Sequence, residues 1–267
     1  MPKKLLISDR FKIEETLNYV DGYIFGFNDF SVNFPYNLTM EELIKINDVC
    51  KKNDKDLFIS LNKNIHSKEI DKLKEILVKI DKLDIKGILY ADTSLVVLKE
   101  ELNLKTDLVW SSEHLTTNYS TINYWNDFKV NYTFLSCEIT ESEIKEIINN
   151  TKSKLMVQVF GYFPIFTSIR FAISNYLNYF NIKDNSKNYY IEKEGKKYPI
   201  IETKEGTVVY SNYILNIIEQ LKDLNIEYIV YNSFLINNQD MLEVLKGNIN
   251  MKTEKGFLNN PTIYKVK

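Results

Sequence analysis

A chain of 267 residues, 44% hydrophobic and 26% charged, is long enough to bury the core of one large α/β domain or two small ones without disulfides. A formal net charge of −2 excludes a global basic field for collecting nucleic acid, so any RNA-binding role needs a partner subunit or a local patch such as Lys193-Glu-Gly-Lys-Lys197. Cys50 and Cys137 form no CxxC pair and two histidines add little, so no metal site is expected and a reducing cytoplasm is the natural compartment.

In chain order, the apolar run after Met1 is too short for a signal peptide, and no later stretch approaches a membrane span. Short apolar runs at 5–8, 22–26, 57–61, 87–90, 107–111, 132–136, 154–160 and 228–231 read as strands. Amphipathic, charged segments between them read as helices. Thr39-Met-Glu-Glu42 and Thr140-Glu-Ser-Glu143 fit capping boxes, and Ser67 opens a helix reaching about residue 83. Helices are also predicted over 169–180 and 213–224. Between them, residues 188–211 alternate Tyr, Ile and Val with charge around Gly195 and Gly206, which predicts a β-hairpin insertion before the last βα unit.

Eight strands alternating with helices predict a closed parallel (β/α)8 barrel, with an open doubly wound sheet as the alternative. No GxGxxG or GxxxxGK loop follows any strand, which disfavours dinucleotide and P-loop chemistry. The chain reads as one domain over 1–267, with residues 248–267 as a C-terminal tail. The hairpin either covers a site or merely decorates the surface.

In such a barrel the active site lies at the carboxyl ends of the strands. Candidate ligand-binding residues there are Asn28, Asn62, Asn118, Tyr162 and Tyr231. Arg10 and Arg170, the only two arginines, also follow strands; each guanidinium either grips a carboxylate or phosphate or pairs with a neighbouring acid. Glu138 and Asp92 are candidate general bases, though acids at loop starts also cap helices. Cys137 and His114 end adjacent strands and form a candidate nucleophile and base, flanked by Glu113 and Glu138; the alternative is a small packing cysteine.

The segment from Met156 to Ser174 resembles the signature of peptidase family U32, the collagenase-like peptidases. In that family a strand ending in Gly leads, through a small and an aliphatic residue, to Cys, then four residues, Gly, any residue, Cys and an aliphatic-Ser pair. Gly161, Ile173 and Ser174 fall in register; Pro164 and Phe171 occupy the Cys positions, and Met156 and Gln158 replace the usual acidic and aromatic residues. Phe160-Gly-Tyr-Phe-Pro-Ile-Phe-Thr-Ser-Ile-Arg170 with Asn175-Tyr176 is closer to a small, cysteine-poor branch of low-GC bacteria. Asn33-Phe-Pro-Tyr-Asn-Leu-Thr-Met-Glu-Glu42, Ser136-Cys-Glu-Ile-Thr140, Tyr198-Pro-Ile-Ile-Glu202 and the closing Lys255-Gly-Phe-Leu258 extend the similarity along the chain.

The resemblance implies a TIM-like barrel. It also implies one of two activities, since some members are named proteases while others act in prephenate-dependent hydroxylation of tRNA uridine, ribosomal RNA or ubiquinone precursors, often with an iron-sulfur cluster. Without thiolates at Pro164 and Phe171, no cluster and no other cofactor is expected in this chain. The expectation is a cluster-free tRNA hydroxylation subunit that takes prephenate as co-substrate between Arg170 and Arg10. Its partner would be a larger cysteine-containing U32 relative or a second copy, with tRNA reached through that partner. A peptidase using Cys137 and His114 and a non-catalytic scaffold are the competing readings.

Overall fold

The computed structural model describes residues 1–8, 13–184, 186 and 188–260. Eight strands, β1 (Lys3–Ile7), β2 (Gly22–Phe27), β3 (Asp56–Leu61), β4 (Gly87–Tyr90), β5 (Asp107–Trp110), β6 (Tyr132–Phe134), β7 (Lys154–Gly161) and β8 (Tyr228–Asn232), each pair in parallel with the next. β8 also pairs in parallel with β1, so the sheet closes into the expected TIM-like (β/α)8 barrel. The strands are apolar almost without interruption because each is buried on both faces, by the barrel interior and by the helices.

Alternation within each strand divides the core in two. Leu5, Ile24, Phe58, Val109, Met156 and Val230 fill the barrel, while the opposite residues pack beneath the helices. The amino ends of the strands are plugged. Phe58 meets Tyr228 edge-on at 5.4 Å between ring centroids, and the Tyr228 hydroxyl donates to Asp56 at 2.7 Å, which also pairs with Lys3 at 3.0 Å. With that end filled, the cavity among the described residues lies toward the carboxyl ends.

Helices α1 (Met40–Lys52) and α5 (Glu141–Asn150) start at the predicted capping boxes on Thr39 and Thr140. α2 (Ile70–Asp81) is preceded by a 3-10 turn at Ser67–Glu69, and α3 (Ser94–Glu101) and α4 (Tyr119–Asp127) complete the first half of the ring.

Two helix boundaries differ from the sequence reading. The helix expected over 169–180 is α6 (Ala172–Tyr179), because Pro164–Ser168 is drawn into a sheet. The helix expected over 213–224 is reduced to the short α7 (Ile218–Leu221), preceded by a strand, Ile214–Asn216; α8 (Asn238–Leu245) then follows β8. The cause is β7, which outruns its neighbours and leaves backbone groups that Ile214–Asn216 satisfies by antiparallel pairing with Phe160 and Gly161.

The insertion is larger than a hairpin. Tyr189–Lys193, Lys196–Thr203, Gly206–Tyr210 and Pro164–Ser168 form a four-stranded antiparallel sheet in that order. Glu194 and Gly195 make its first turn with φ of 54° and 72°, the left-handed pair that a tight hairpin requires. In the tail, Thr253–Glu254 pairs with the Ile214–Asn216 strand, and residues 261–267 lie outside the described residues.

Candidate functional site

The carboxyl ends of the strands surround a cavity of about 70 Å³. Its depth is apolar, from Ile7, Leu89 and Phe134, and its wall is polar, from Ser111, Gln158 and Asn232. Asn33 and Phe34, from the loop after β2, and Phe163 and Pro164, from the start of the insertion, form its roof.

The roof is fastened to the wall at Glu113. Asn33 Nδ2 donates to one oxygen of that carboxylate and the Thr167 hydroxyl donates to the other at 3.3 Å, while Asn33 Nδ2 also reaches Thr167 Oγ1 at 3.0 Å. Asn33 takes a left-handed φ of 62° to make this junction, and its buried Oδ1 has no partner, leaving an acceptor for a ligand N–H. Burial pushes the Glu113 carboxyl above the usual carboxylate range, against the pull of Asn33, His114 and Thr167.

On the β7–β8 side, Gln158 Nε2 and Asn232 Nδ2 both donate to the Tyr162 carbonyl, at 3.0 and 3.1 Å. That pair fixes the turn at which the chain leaves the barrel for the insertion. His114 Nδ1 lies 3.4 Å from Glu138 Oε2, both partly exposed at the rim. Among the described lining residues His114 is the one group able to carry positive charge, so the cavity wall is acidic.

Of the candidates, Glu138, His114, Cys137 and Asn62 line this cavity. Cys137 does not have the character of a nucleophile. Burial, reinforced by Glu138 and Glu113, pushes its thiol up to about 12, the reverse of the depressed value that an attacking thiolate needs. Asn62 holds the roof rather than a ligand, its amide accepting from the Val32 amide at 2.9 Å and donating to the Val32 carbonyl at 3.1 Å.

The other described candidates lie elsewhere. Asp92 joins two loops, accepting from the amides of Ile65 and Ser94 at 2.8 and 2.9 Å. Burial raises its carboxyl, but those hydrogen bonds outweigh it and the net shift is downward, and Asp92 is not among the residues lining the cavity. Asn118 caps α4 through a 2.9 Å bond from the Thr121 amide. Asn28 sits beside the short strand Asn37–Leu38, its backbone N–H donating to the Leu38 carbonyl at 3.0 Å, outside the cavity lining. Tyr162 contributes its carbonyl to the wall network, and its half-buried ring is not a lining group.

Tyr231 is displaced by strand parity. Val230 points inward, so Tyr231 points outward into the helix layer against Phe160, and Asn232 is the residue that reaches the cavity. Arg170 is exposed on the insertion and is not a lining residue. Arg10 lies outside the described residues. Sequence reasoning missed Asn33 and Gln158 as site residues and chose Tyr231 over its strand-end neighbour Asn232; counting by twos from the apolar interior positions Met156 and Val230 finds Gln158 and Asn232.

The model for peptidase family U32 matches residues 13–236. Among curated proteins, the chain is 26% identical over 211 residues to tRNA hydroxylation protein P2 of Bacillus subtilis (strain 168), covering 76% of this chain and 68% of that one. It is 20% identical over 159 residues to tRNA hydroxylation protein P1 of the same organism, covering 60% of this chain but only 37% of that longer protein. Among solved structures, the U32 peptidase Mk0906 aligns with a TM-score of 0.57 at 14% identity, over 87% of this chain and 92% of that one, a likeness of fold alone.

Proposed function

The chain belongs to peptidase family U32, and from that premise we propose that it acts in tRNA hydroxylation, holding a small carboxylate-bearing ligand in the barrel cavity. The observation that carries this reading is the similarity to tRNA hydroxylation protein P2 over 76% of the chain. A peptidase would need an activated nucleophile, and the Cys137 thiol stays protonated at neutral pH.

The family resemblance suggests prephenate as the ligand. Two carboxylates entering a wall that already carries Glu113 and Glu138 need a cation from outside the described lining, and Arg10, three residues beyond the lining residue Ile7, is the proposed source. Gln158, Asn232 and Asn33 Oδ1, the last accepting from the ligand hydroxyl, would orient the rest of the molecule. The relatives named P1 and P2 are distinct proteins sharing one process, which supports a partner, proposed as a larger cysteine-bearing U32 relative that supplies chemistry this chain does not.

Mass spectrometry of tRNA nucleosides from a strain lacking this gene tests the reading. Hydroxylated uridine is expected to fall, and to return with a plasmid copy carrying Cys137→Ala but not with one carrying Asn232→Leu. Undiminished hydroxylated uridine in the deletion strain overturns it.

A further inference from the structure

A second cavity, of about 30 Å³, lies between the insertion sheet and the loop after β2. Asn33 and Phe34 line both this cavity and the barrel cavity, while Thr167, Thr203, Glu205 and Thr207 come from the insertion. It is too small for a metabolite and has room for about two water-sized spheres.

Glu205 reaches it from the two-residue turn Lys204-Glu205, which joins the strands Lys196–Thr203 and Gly206–Tyr210. The carboxylate folds back on that turn. Its Oε2 accepts from Thr203 Oγ1 at 2.8 Å, and the Glu205 backbone N–H donates to the same hydroxyl at 3.2 Å. Gly206 follows with a φ of 130°, and a Cβ there would run into the Ser168 carbonyl, so the turn lies tight against the strand Pro164–Ser168. The Glu205 side chain is left only 10% exposed.

Its other oxygen is unsatisfied. Oε1 is buried with no hydrogen-bond partner, and Lys204 Nζ lies 3.6 Å away, beyond hydrogen-bonding reach, because that ammonium donates to Asp29 at 2.8 Å. Asn33 Oδ1 is a second buried oxygen without a partner among the residues lining this cavity. No Lys, Arg or His is among the described lining residues. Buried charges are paired or hold a cation, since a carboxylate stripped of its hydration and left uncompensated is costly. A water could donate to both oxygens but would leave the negative charge in place.

We propose that this cavity binds a monovalent alkali cation, held between Glu205 Oε1 and Asn33 Oδ1. One carboxylate and one neutral oxygen suit a single positive charge, and among the described residues no group of three or more His, Cys, Asp or Glu gathers to hold a metal ion of higher charge. Potassium is the fitting member, because its radius is close to that of the water-sized sphere the cavity admits. An amide oxygen has two lone pairs, so Asn33 can serve the ion and a ligand in the barrel cavity together. The ion joins the loop after β2 to the insertion, the two parts of the roof, and its binding does not depend on which ligand the barrel takes.

Thermal melting of the full chain in potassium chloride against choline chloride, at equal ionic strength and with the potassium fraction varied, tests this. Potassium is expected to raise the parent's midpoint by about 2–4 °C along a saturating curve. Glu205→Gln, which keeps the shape of the side chain and removes its charge, should lose that gain. Lys204→Gln, which removes the competing ammonium, should reach its gain at a lower potassium concentration. In crystals grown with thallium(I), which replaces potassium and scatters anomalously, a peak is expected between Glu205 and Asn33. Equal midpoints of the parent in the two salts, a gain that Glu205→Gln retains in full, or a site that holds only water in the thallium crystals overturns the proposal.

Discussion

Gly161 and Asn232 meet at the carboxyl ends of β7 and β8, and the Asn232 carbonyl oxygen lies 2.2 Å from where a Cβ on Gly161 would sit. Gly161 also has a φ of 110°, which L side chains rarely adopt. Gly161→Ala is therefore expected to cost about 2–4 kcal/mol in urea unfolding, as β7 and β8 are forced apart beside Gln158. Gly195→Ala is the control: its φ is 72° but nothing lies within 4 Å, so only about 1 kcal/mol should be lost. Equal losses would show that backbone conformation alone, and not the close approach, makes Gly161 necessary.

Glu113 should make stability depend on pH. Burial raises its folded carboxyl above the unfolded value of about 4.3, so the folded state holds the proton more tightly. Its stabilising contribution is full below that unfolded value and declines as pH rises through the raised folded value. Glu113→Gln keeps an acceptor for Asn33 and removes the decline. The variant should melt above the parent at pH 7 and show no such advantage at pH 3.5; a constant difference between the two pH values would refute the assignment.

Cys137 should be inert. With its thiol, and that of buried Cys50, both pushed to about 12 by burial, iodoacetamide labelling of the native protein at pH 8 should run at least about 100-fold slower than labelling in urea. Rapid modification of Cys137 in the native protein would restore it as a candidate nucleophile.

Asp29 links the barrel to the insertion. Lys204 and Lys72 each donate to it at 2.8 Å, and these bonds hold its carboxyl down at about 2. Its contribution is present above the unfolded value of about 3.9 and is lost as pH falls toward 2. The pair is half exposed, so Asp29→Asn should cost less than about 1 kcal/mol globally. Amide exchange over residues 196–210 should nevertheless quicken, and unchanged exchange there would show that the ion pair does not hold the insertion.

On the proposed reading, the two arginines should separate ligand binding from surface charge. Arg10→Lys is expected to weaken prephenate binding by about 1.5–3 kcal/mol in calorimetric titration, the loss of a charge-assisted fork. Arg170→Lys, exposed and outside the cavity lining, should leave it unchanged.

Local patterns made the scaffold legible. Apolar runs buried on both faces marked all eight barrel strands, and Thr39 and Thr140 marked two helix starts, because backbone pairing and capping depend on residues close in sequence. The barrel then placed Glu138, His114, Cys137 and Asn62 around one opening, as the carboxyl-end rule requires. What each side chain does there was settled by distant partners. Asn62 is taken by Val32, Asp92 by Ile65 and Ser94, and the Cys137 thiol is suppressed by its surroundings.

A one-residue count separated Tyr231 from Asn232, since successive side chains on a strand face opposite layers and the inward set is fixed only by packing across the barrel. The roof was the least legible part. Pro164–Ser168 finds its strand partner at Gly206–Tyr210, some forty residues later, and that pairing shortens α6, turns Arg170 to solvent and lays Phe163 and Pro164 over the cavity. Contacts of that range leave little local periodicity, so the sequence by itself determined the barrel and its open end, and tertiary pairing decided which groups face the ligand.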